Sequence, residues 1–347
     1  MISLTHLMKD FKYILKKLRS VPCNHPQIEI HPKIHIEHSK YISSEIINHI
    51  RDHTQKSFTF IDTYGIIVLY TYDYNELTIT RAKNWYIYIR AVLYVCKKYS
   101  VIKCGSPTIR IYMTPFLKSI NNKSILGPSE INSGYTRLCG SSVNDIVVYR
   151  KEEWLKVCIH ECIHYFGLDF SNIDTNIYVP LMKGIFNIVS DHLLYESYTE
   201  FWAEMVYLCL YSVETGNRIN GLISIERKHS IENCKHILRN AGITYTDVLH
   251  SNPKKNTEIF TEHTNVFCYY FLKTLYVYYL DDFLQWNIKN NTTLLSISKN
   301  PQIIKDLCKW IEIKSKTPEF IKIMSYSNDT MNSHRRINKS LKMMRHS

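Results

Sequence analysis

The chain has 347 residues, of which 45% are hydrophobic and 21% charged, so it contains enough apolar residues to bury a sizeable core. No long polar or Pro/Gly-rich tract is present, which excludes a disordered or fibrous protein. Lys and Arg exceed Asp and Glu by 12 charges (43 against 31), which attracts acidic partners at long range, but no run of five basic residues marks a nucleic-acid-binding tail.

The N-terminal half of the sequence is predicted to mix strands with helices. Alternation of apolar and polar residues predicts a strand, and apolar residues spaced three and four apart predict an amphipathic helix. The predicted helices cover residues 1–19, 41–53 and 80–99, and the predicted strands cover residues 27–37, 58–61, 66–72 and 108–114. Residues 1–150 are therefore predicted to form an α/β lobe.

Residues 116–144 have the composition of a loop, and the pattern changes after them. A buried-type strand at residues 146–149 leads directly into a helix from about residue 152 to residue 166, and Gly167 fits the C-terminal end of that helix. Further helices are predicted at residues 190–213, 231–240, 264–284, 302–314 and 332–344. The expected fold class is α+β, one unit with a mainly helical second lobe at residues 151–347.

Several features bear on where the protein resides. The longest apolar stretch, residues 266–284, contains Lys273, Asp281 and Asp282, so no membrane span is expected. Lysines interrupt the N-terminal apolar pattern, unlike the apolar core of a secretory signal. The ten cysteines include no CxxC pair and several lie in apolar helical runs, which predicts buried free thiols in a reducing compartment. We therefore expect an intracellular (cytoplasmic) protein, or one packaged into a virion from inside a cell.

The segment from His160 to His164 has the spacing of a zinc-binding helix, HExxH. Residues four apart in a helix differ by about 40° around its axis, so both histidines project from one face and can bind the same metal ion. Glu161 follows the first histidine, where it can act as general base on an activated water molecule. The preceding strand and the glycine after the helix are the context that a working motif requires.

A third ligand is expected on the next strong helix, because a catalytic zinc has three protein ligands and an open position. There Glu196, Glu200 and Glu204 recur at fourfold spacing in an otherwise apolar helix. Carboxylates aligned on the buried side of a helix are costly unless they are paired or bind metal. We expect Glu200 to be the ligand, with Glu196 as the competing choice. Glu204 is expected to fix the second ring nitrogen of a histidine.

Together, the HExxH segment and the later run from Glu200 to Glu204 resemble the gluzincin branch of the zincin metallopeptidases. In that branch two helix histidines and a glutamate from a later helix bind zinc. Residues 147–154, together with the richness of the whole chain in Ile, Asn, Lys and Tyr, resemble uncharacterised metallopeptidases encoded by large DNA viruses. The specific resemblance covers residues 146–204.

The resemblance implies a zincin-like fold, one catalytic zinc ion and a peptide or protein substrate. Residues 133–138 would be the edge strand that receives an extended peptide, and the helical lobe would form the other wall of the cleft. A donor for the transition-state oxyanion is also implied. The residues chemically able to act as that donor are Tyr198 and His229, and also His192, His263 and Tyr269.

One departure from a related pattern leaves the third ligand open. In the metzincin branch the motif continues as HExxHxxGxxH; Gly167 fits this continuation, but Phe170 stands where the third histidine would be. Asp169 and Asp174 are the carboxylates available nearby. An aspartate-ligated site is therefore the alternative to a glutamate from the later helix.

The expected function is zinc-dependent hydrolysis of peptide bonds. Glu161 would take a proton from the zinc-activated water and return it to the leaving amine. Two alternatives belong to other classes: a zincin-fold structural or virion protein without turnover, and a basic nucleic-acid-binding protein with an incidental HExxH. Retention of Glu161 argues against the first, since a structural site needs no base. The absence of a nucleic-acid-binding motif argues against the second.

Overall fold

A six-stranded mixed sheet carries the N-terminal half of the chain and helices dominate the rest, in a computed structural model that describes residues 2–21, 25–73, 75–119, 125–140, 144–249, 260–325 and 341–345. The strands are β1 (Gln27–Ile30), β2 (Lys56–Asp62), β3 (Gly65–Thr71), β4 (Thr108–Thr114), β5 (Gly134–Thr136), β6 (Asp145–Arg150), β7 (Ile188–Val189) and β8 (Phe260–Thr261). The α+β prediction is therefore confirmed.

The α-helices are α1 (Ile2–Ser20), α2 (Ser44–His53), α3 (Ile79–Tyr99), α4 (Pro128–Ile131), α5 (Trp154–Tyr165), α6 (Val179–Ile185), α7 (Leu194–Thr215), α8 (Ile219–Ala241), α9 (Tyr245–Val248), α10 (Lys273–Tyr278), α11 (Leu280–Asn290), α12 (Pro301–Ser315) and α13 (Pro318–Met324). A 3-10 helix covers Thr175–Ile177, and a π-helix covers Phe267–Leu272. Among the helices of the described residues, none combines the length and the apolar character that crossing a membrane needs.

The strand order of the large sheet, β1-β2-β3-β4-β6-β5, leaves β5 at one end. Strands β3, β4 and β6 are parallel, whereas β5 runs antiparallel to β6, with Gly134 opposite Val148. Residues 146–149 of β6 are all at most 2% exposed. Their uninterrupted apolar run is explained by cover on both faces of the sheet.

The two faces of the sheet belong to two apolar clusters. Ile146 and Val148 of β6 pack into the larger cluster with residues of α1, α3, α5 and α7. Val147 and Tyr149 point the other way, into a smaller cluster that includes the buried isoleucines of α2. Because α5 follows β6 after only residues 151–153, the chain places this helix directly on the larger cluster.

Several predicted boundaries differ from the structure. The strand expected at residues 27–37 stops at Ile30, and the helix expected at residues 231–240 is the C-terminal part of the longer α8. The helix expected at residues 264–284 is divided into the π-helix, α10 and α11. Of the helix expected at residues 332–344, residues 332–340 lie outside the described residues, and residues 341–345 are not helical.

Cys104 and Cys139 form a disulfide bond, with Cα atoms 5.5 Å apart. The expectation of free thiols throughout is therefore wrong for this pair. Cys104 precedes β4 and Cys139 follows β5, and both lie at the end of α5, where the Cys139 amide donates to the Tyr165 carbonyl at 3.1 Å. Seven other cysteines are buried free thiols, and Cys23 lies outside the described residues. Cys104 and Cys139 are 35 residues apart in the chain, so only the tertiary fold brings the two thiols together.

The C-terminal end of α5 is a tight turn centred on Gly167. The amide of Gly167 donates to the carbonyl of His164 at 2.9 Å, and the amide of Leu168 donates to the carbonyl of Ile163 at 3.0 Å. This pair of bonds is the Schellman motif, which requires a left-handed residue at its centre. Gly167 has φ +58°, and a Cβ atom there would lie 2.7 Å from the Cδ1 of Ile102. The predicted helix stop is thus confirmed.

We expect Gly167→Ala to destabilise the protein more than Gly216→Ala. Gly216 ends α7 at φ +73° with open space around it, so its substitution costs only the left-handed backbone, about 1–2 kcal/mol. The added methyl at residue 167 also meets the Cδ1 atom of Ile102, and displacing the end of this half-buried side chain adds up to about 1 kcal/mol. Urea denaturation of both variants measures the difference, and equal free energies of unfolding would contradict this account.

Candidate metal centre

The HExxH residues are held by a helix that is anchored on its other side. Cys158, Ile159, Cys162 and Ile163 of α5 are fully buried in the larger apolar cluster. With this side fixed in the core, the polar side of α5 is turned towards α7 and the edge strand β5. His160 and Glu161 are 7% and 6% exposed, so the site is largely shielded from bulk water.

His160 and His164 of α5 and Glu196 of α7 direct their ligand atoms towards one point. The Nε2 atoms of His160 and His164 are 3.0 Å apart. The Oε2 atom of Glu196 lies 3.2 Å from the first and 3.3 Å from the second. These three ligand atoms lie within 4.8 Å of one another, and no other such group was found in the described part of the chain. The group could hold a metal ion.

Both histidines are oriented by carboxylates on their other ring nitrogens. The Nδ1 atom of His160 lies 2.9 Å from Oε2 of Glu200, and the Nδ1 atom of His164 is hydrogen-bonded to Asp169. A carboxylate at Nδ1 favours the tautomer with the proton there, which leaves the Nε2 lone pair for a metal. The three converging atoms are then all electron-pair donors, and a cation between them removes their mutual repulsion.

Each orienting carboxylate is itself fixed. Glu200 is 1% exposed, and its Oε1 atom accepts from the Nζ atom of Lys156 at 2.6 Å. Asp169 is fully buried and accepts from the amide and the hydroxyl of Ser171 at 3.1 and 2.8 Å. The turn at Gly167 reverses the chain, which is why Asp169 reaches back to the last turn of α5.

The charges around the site favour the binding of positive charge. Burial alone would lower the pKa of His164, but Asp169 and Glu196 outweigh it and raise this pKa well above its usual value. Burial likewise lowers the pKa of His160, and its hydrogen bonds with Glu196 and Glu200 more than offset the effect. Burial would raise the pKa of Glu196, yet the two imidazoles lower it to about 2. Protons or a metal ion can supply the compensating charge.

Glu161 lies beside the histidines and against the edge strand. Its Oε1 atom is 2.9 Å from the position that a Cβ on Gly134 would occupy, so only glycine allows this approach. Burial raises the pKa of Glu161 to about 7, and the neighbouring histidines offset part of that rise. A carboxylate in this setting can take up and release a proton near neutral pH.

A cavity of about 180 Å³ opens over the three converging atoms. The edge strand lines one side through residues 133–136, and Tyr269 of the π-helix lines the cavity as well. The ring of Tyr269 stands edge-on to His160, with centroids 5.9 Å apart, and Tyr195 makes the same kind of contact with His164 at 5.9 Å. The cavity therefore combines a bare strand edge, a candidate base and aromatic walls.

The structure places the expected acidic residues differently from the sequence analysis. Glu200, expected as the ligand, binds the Nδ1 side of His160, and Glu196 occupies the Nε2 side. Glu204, expected to fix a histidine, instead pairs with Lys273 at 2.7 Å. Asp174 caps the 3-10 helix by accepting from the Asn176 amide at 2.9 Å. The physical reason is the crossing of α5 over α7, which brings the first turn of α7 to the Nε2 atoms.

Of the expected oxyanion donors, Tyr198 and His229 do not line the cavity. The hydroxyl of Tyr198 donates to the carbonyl of Leu295 at 2.9 Å, inside the core. The Nε2 atom of His229 lies 2.8 Å from the carbonyl oxygen of Lys342. Neither side chain lines the cavity, whereas Tyr269 does. Both side chains make their hydrogen bonds away from the cavity, with carbonyl groups whose pairing with them could not be read from the sequence.

Three contacts at the site were missed by the sequence analysis: His164 with Asp169, Glu200 with Lys156, and the lining of the cavity by Met343. The first had a signal, because a glycine that ends a helix folds the chain back over its last turn. Lys156 also had one, since it precedes His160 by four residues and shares its helix face. Met343 had none, since 179 residues separate it from His164.

No protein-family model, curated protein or solved structure matches the chain. The geometry of the site therefore carries the functional inference.

We expect the converging atoms to bind a metal ion such as zinc, and Asp169→Asn and Glu200→Gln each to weaken that binding by about 10–100-fold, because the carboxylates that orient the imidazoles would lose their charge. Glu196→Ala should weaken it further, since it removes one of the three converging atoms. Glu204→Gln is the matched control, a glutamate of the same helix that is equally buried but pairs with Lys273. Competition titration with a chromophoric zinc chelator measures the affinities. A loss for Glu204→Gln as large as that for Glu200→Gln would contradict this assignment.

Proposed function

We propose that this protein is a zinc-dependent metallopeptidase of the zincin type, with His160, His164 and Glu196 as the zinc ligands. The observation that carries the proposal is the convergence of their three ligand atoms at 3.0 to 3.3 Å, with Glu161 beside them. These residues would form a gluzincin-type ligand set, with Glu196 in the place first expected for Glu200.

The donor set fits zinc by number, chemistry and spacing. Two imidazole nitrogens and one carboxylate are a ligand set of catalytic zinc sites, which keep a fourth position open. Zinc–ligand distances of about 2.0–2.1 Å in a tetrahedron put ligand atoms roughly 3.3 Å apart. The separations found here, 3.0, 3.2 and 3.3 Å, are close to that value. When bound, zinc supplies Lewis-acid activation of water and of a substrate carbonyl.

Glu161 is the general base and then the general acid of the proposed reaction. Its carboxylate lies on the same turn of α5 as His160 and lines the cavity. It accepts a proton from the attacking water and delivers that proton to the leaving amine as the C–N bond breaks. Burial raises the pKa of Glu161 to about 7, so the side chain can both take up and release a proton near neutral pH.

The edge strand supports an extended peptide as the substrate. Strand β5 ends the sheet and lines the cavity, so its outer edge can pair with the backbone of a bound peptide. Arg150 fixes the segments that lead into β5 by donating to the carbonyl oxygens of Leu117, Ser129 and Asn132 at 2.8, 2.5 and 2.8 Å. Because Gly134 has no side chain, the backbone of β5, which is paired with β6, comes close to Glu161 at this residue.

Tyr269 is the candidate donor to the oxyanion of the transition state. Its ring packs edge-on against His160 and lines the cavity, and it belongs to the π-helix, an element common at functional sites. Burial raises the pKa of its hydroxyl well above the ordinary value. The hydroxyl therefore stays protonated and can donate a hydrogen bond.

We expect the zinc-loaded protein to cleave members of a mixed peptide library. Glu161→Gln should lower the rate by at least about 10²–10⁴-fold while zinc binding is retained, because the variant lacks a proton acceptor but keeps the ligands. Mass spectrometry of the digest and metal analysis of the same samples provide the two readouts. Zinc-loaded wild type that leaves the library intact would refute the peptidase proposal.

We expect Tyr269→Phe to lower kcat by about 10²–10³-fold with little change in KM, because the lost donor acts on charge that develops in the transition state. Tyr198→Phe is the matched control, since this buried tyrosine bonds to Leu295 and does not line the cavity. Steady-state kinetics on one cleaved peptide measures both variants. Equal kcat values for Tyr269→Phe and wild type would rule Tyr269 out as the donor.

A further inference from the structure

Residues 341–345, termed here the tail segment, run along the wall of the metal-site cavity. The segment is not helical, and its backbone is held by side chains and carbonyls from four other parts of the chain. The contacts are Leu341 N–H to Lys118 O at 2.9 Å, Tyr270 O–H to Leu341 O at 2.6 Å, Asn233 Nδ2 to Lys342 O at 2.9 Å, Met344 N–H to Glu153 Oε1 at 2.6 Å and Arg345 N–H to Glu226 Oε2 at 2.8 Å. The segment is therefore a fixed part of the cleft.

Met343 is the side chain of this segment that reaches the cavity. It lines the cavity together with the HExxH residues, whereas its neighbours Leu341 and Met344 are fully buried and do not line it. Its sulfur atom lies 3.4 Å from the Nζ atom of Lys156. Lys156 precedes His160 by one turn of α5, so Met343 stands at the end of the cavity that points towards the start of this helix.

The charged groups at this end of the cavity are already paired. The Nζ atom of Lys156 is 2.6 Å from Glu200, and that of Lys118 is 2.8 Å from Glu153. Each lysine thus meets a buried carboxylate, and the pairs add no net charge to the wall. The side chains of Ile131 and Val157 line the same cavity. An apolar group meets a more favourable surface here than a charged one.

We propose that Met343 forms the end wall of a side-chain pocket beside the zinc ligands and sets the size of the apolar substrate side chain that the pocket accepts. This inference rests on the proposed peptidase function. The hydrogen bonds of the tail segment and the contact with Lys156 hold Met343 in place, so its side chain closes the pocket against large rings while it admits aliphatic side chains of medium size.

Met343→Ala removes three non-hydrogen atoms from the end wall and lengthens the pocket. The affinity for a ligand with a phenylalanine side chain should then rise by about tenfold or more relative to the affinity for one with a leucine side chain. A single methylene in an apolar pocket already changes discrimination by about 10–200-fold. Met343→Leu keeps the volume and should keep the wild-type preference.

The test uses the full chain loaded with zinc and two dipeptide hydroxamates that differ only in a leucine or phenylalanine side chain. Isothermal titration calorimetry gives the ratio of the two affinities for wild type, Met343→Ala and Met344→Ala. Met344→Ala is the matched control, because it truncates a buried methionine of the same segment that does not line the cavity. Any loosening of the tail segment as such should affect both alanine variants.

A shift of the ratio towards phenylalanine in Met343→Ala alone supports the inference. An unchanged ratio, an equal shift in Met344→Ala, or failure of both hydroxamates to bind the zinc-loaded wild type overturns it. The peptide digestion remains a separate readout. A shifted ratio in a protein that cleaves no peptide would remove the peptidase function and leave the pocket assignment in place.

Discussion

The structure depends on the pairing of three carboxylates that α7 directs towards α5 and α10. Glu196, Glu200 and Glu204 lie on one side of α7, and removing the partner of such a buried charge costs about 3–5 kcal/mol. Each therefore needs its own positive or hydrogen-bonding partner. Glu196 faces the two imidazoles, Glu200 faces Lys156 and His160, and Glu204 faces Lys273. A metal ion between the imidazoles and Glu196 would complete this set of pairings.

The same constraint explains why the ends of α5 are so closely defined. A shift of one residue along this helix would move both histidines away from α7 and break the pairs with Glu200 and Asp169. Strand β6 fixes the start of the helix, and the turn at Gly167 fixes its end. The buried Lys156 and Lys273 balance the negative charge of Glu200 and Glu204. Their positive charge therefore matters to the site through these pairs rather than through contact with a substrate.

The cavity itself is built from segments that are far apart in the chain. The edge strand contributes Gly134, the π-helix contributes Tyr269 and the tail segment contributes Met343. Hydrogen bonds join these walls, since Tyr270 of the π-helix donates to the tail segment and the tail segment donates to Glu153 at the start of α5. The HExxH side chains therefore come from one helix, whereas the walls of the cavity come from segments throughout the fold.

The sequence by itself determined the strand at residues 146–149, the helix that follows, the pairing of His160 with His164 on one face and the stop at Gly167. These features follow from backbone hydrogen bonds and side-chain periods within a few residues. It also offered the acidic face of α7 as the source of a third ligand, with Asp169 and Asp174 as the alternative. Only the tertiary structure placed Glu196 rather than Glu200 beside the Nε2 atoms, joined Cys104 to Cys139 and brought Met343 to the cavity. Two acids one helical turn apart have the same local pattern, and the way α5 crosses α7 decides between them.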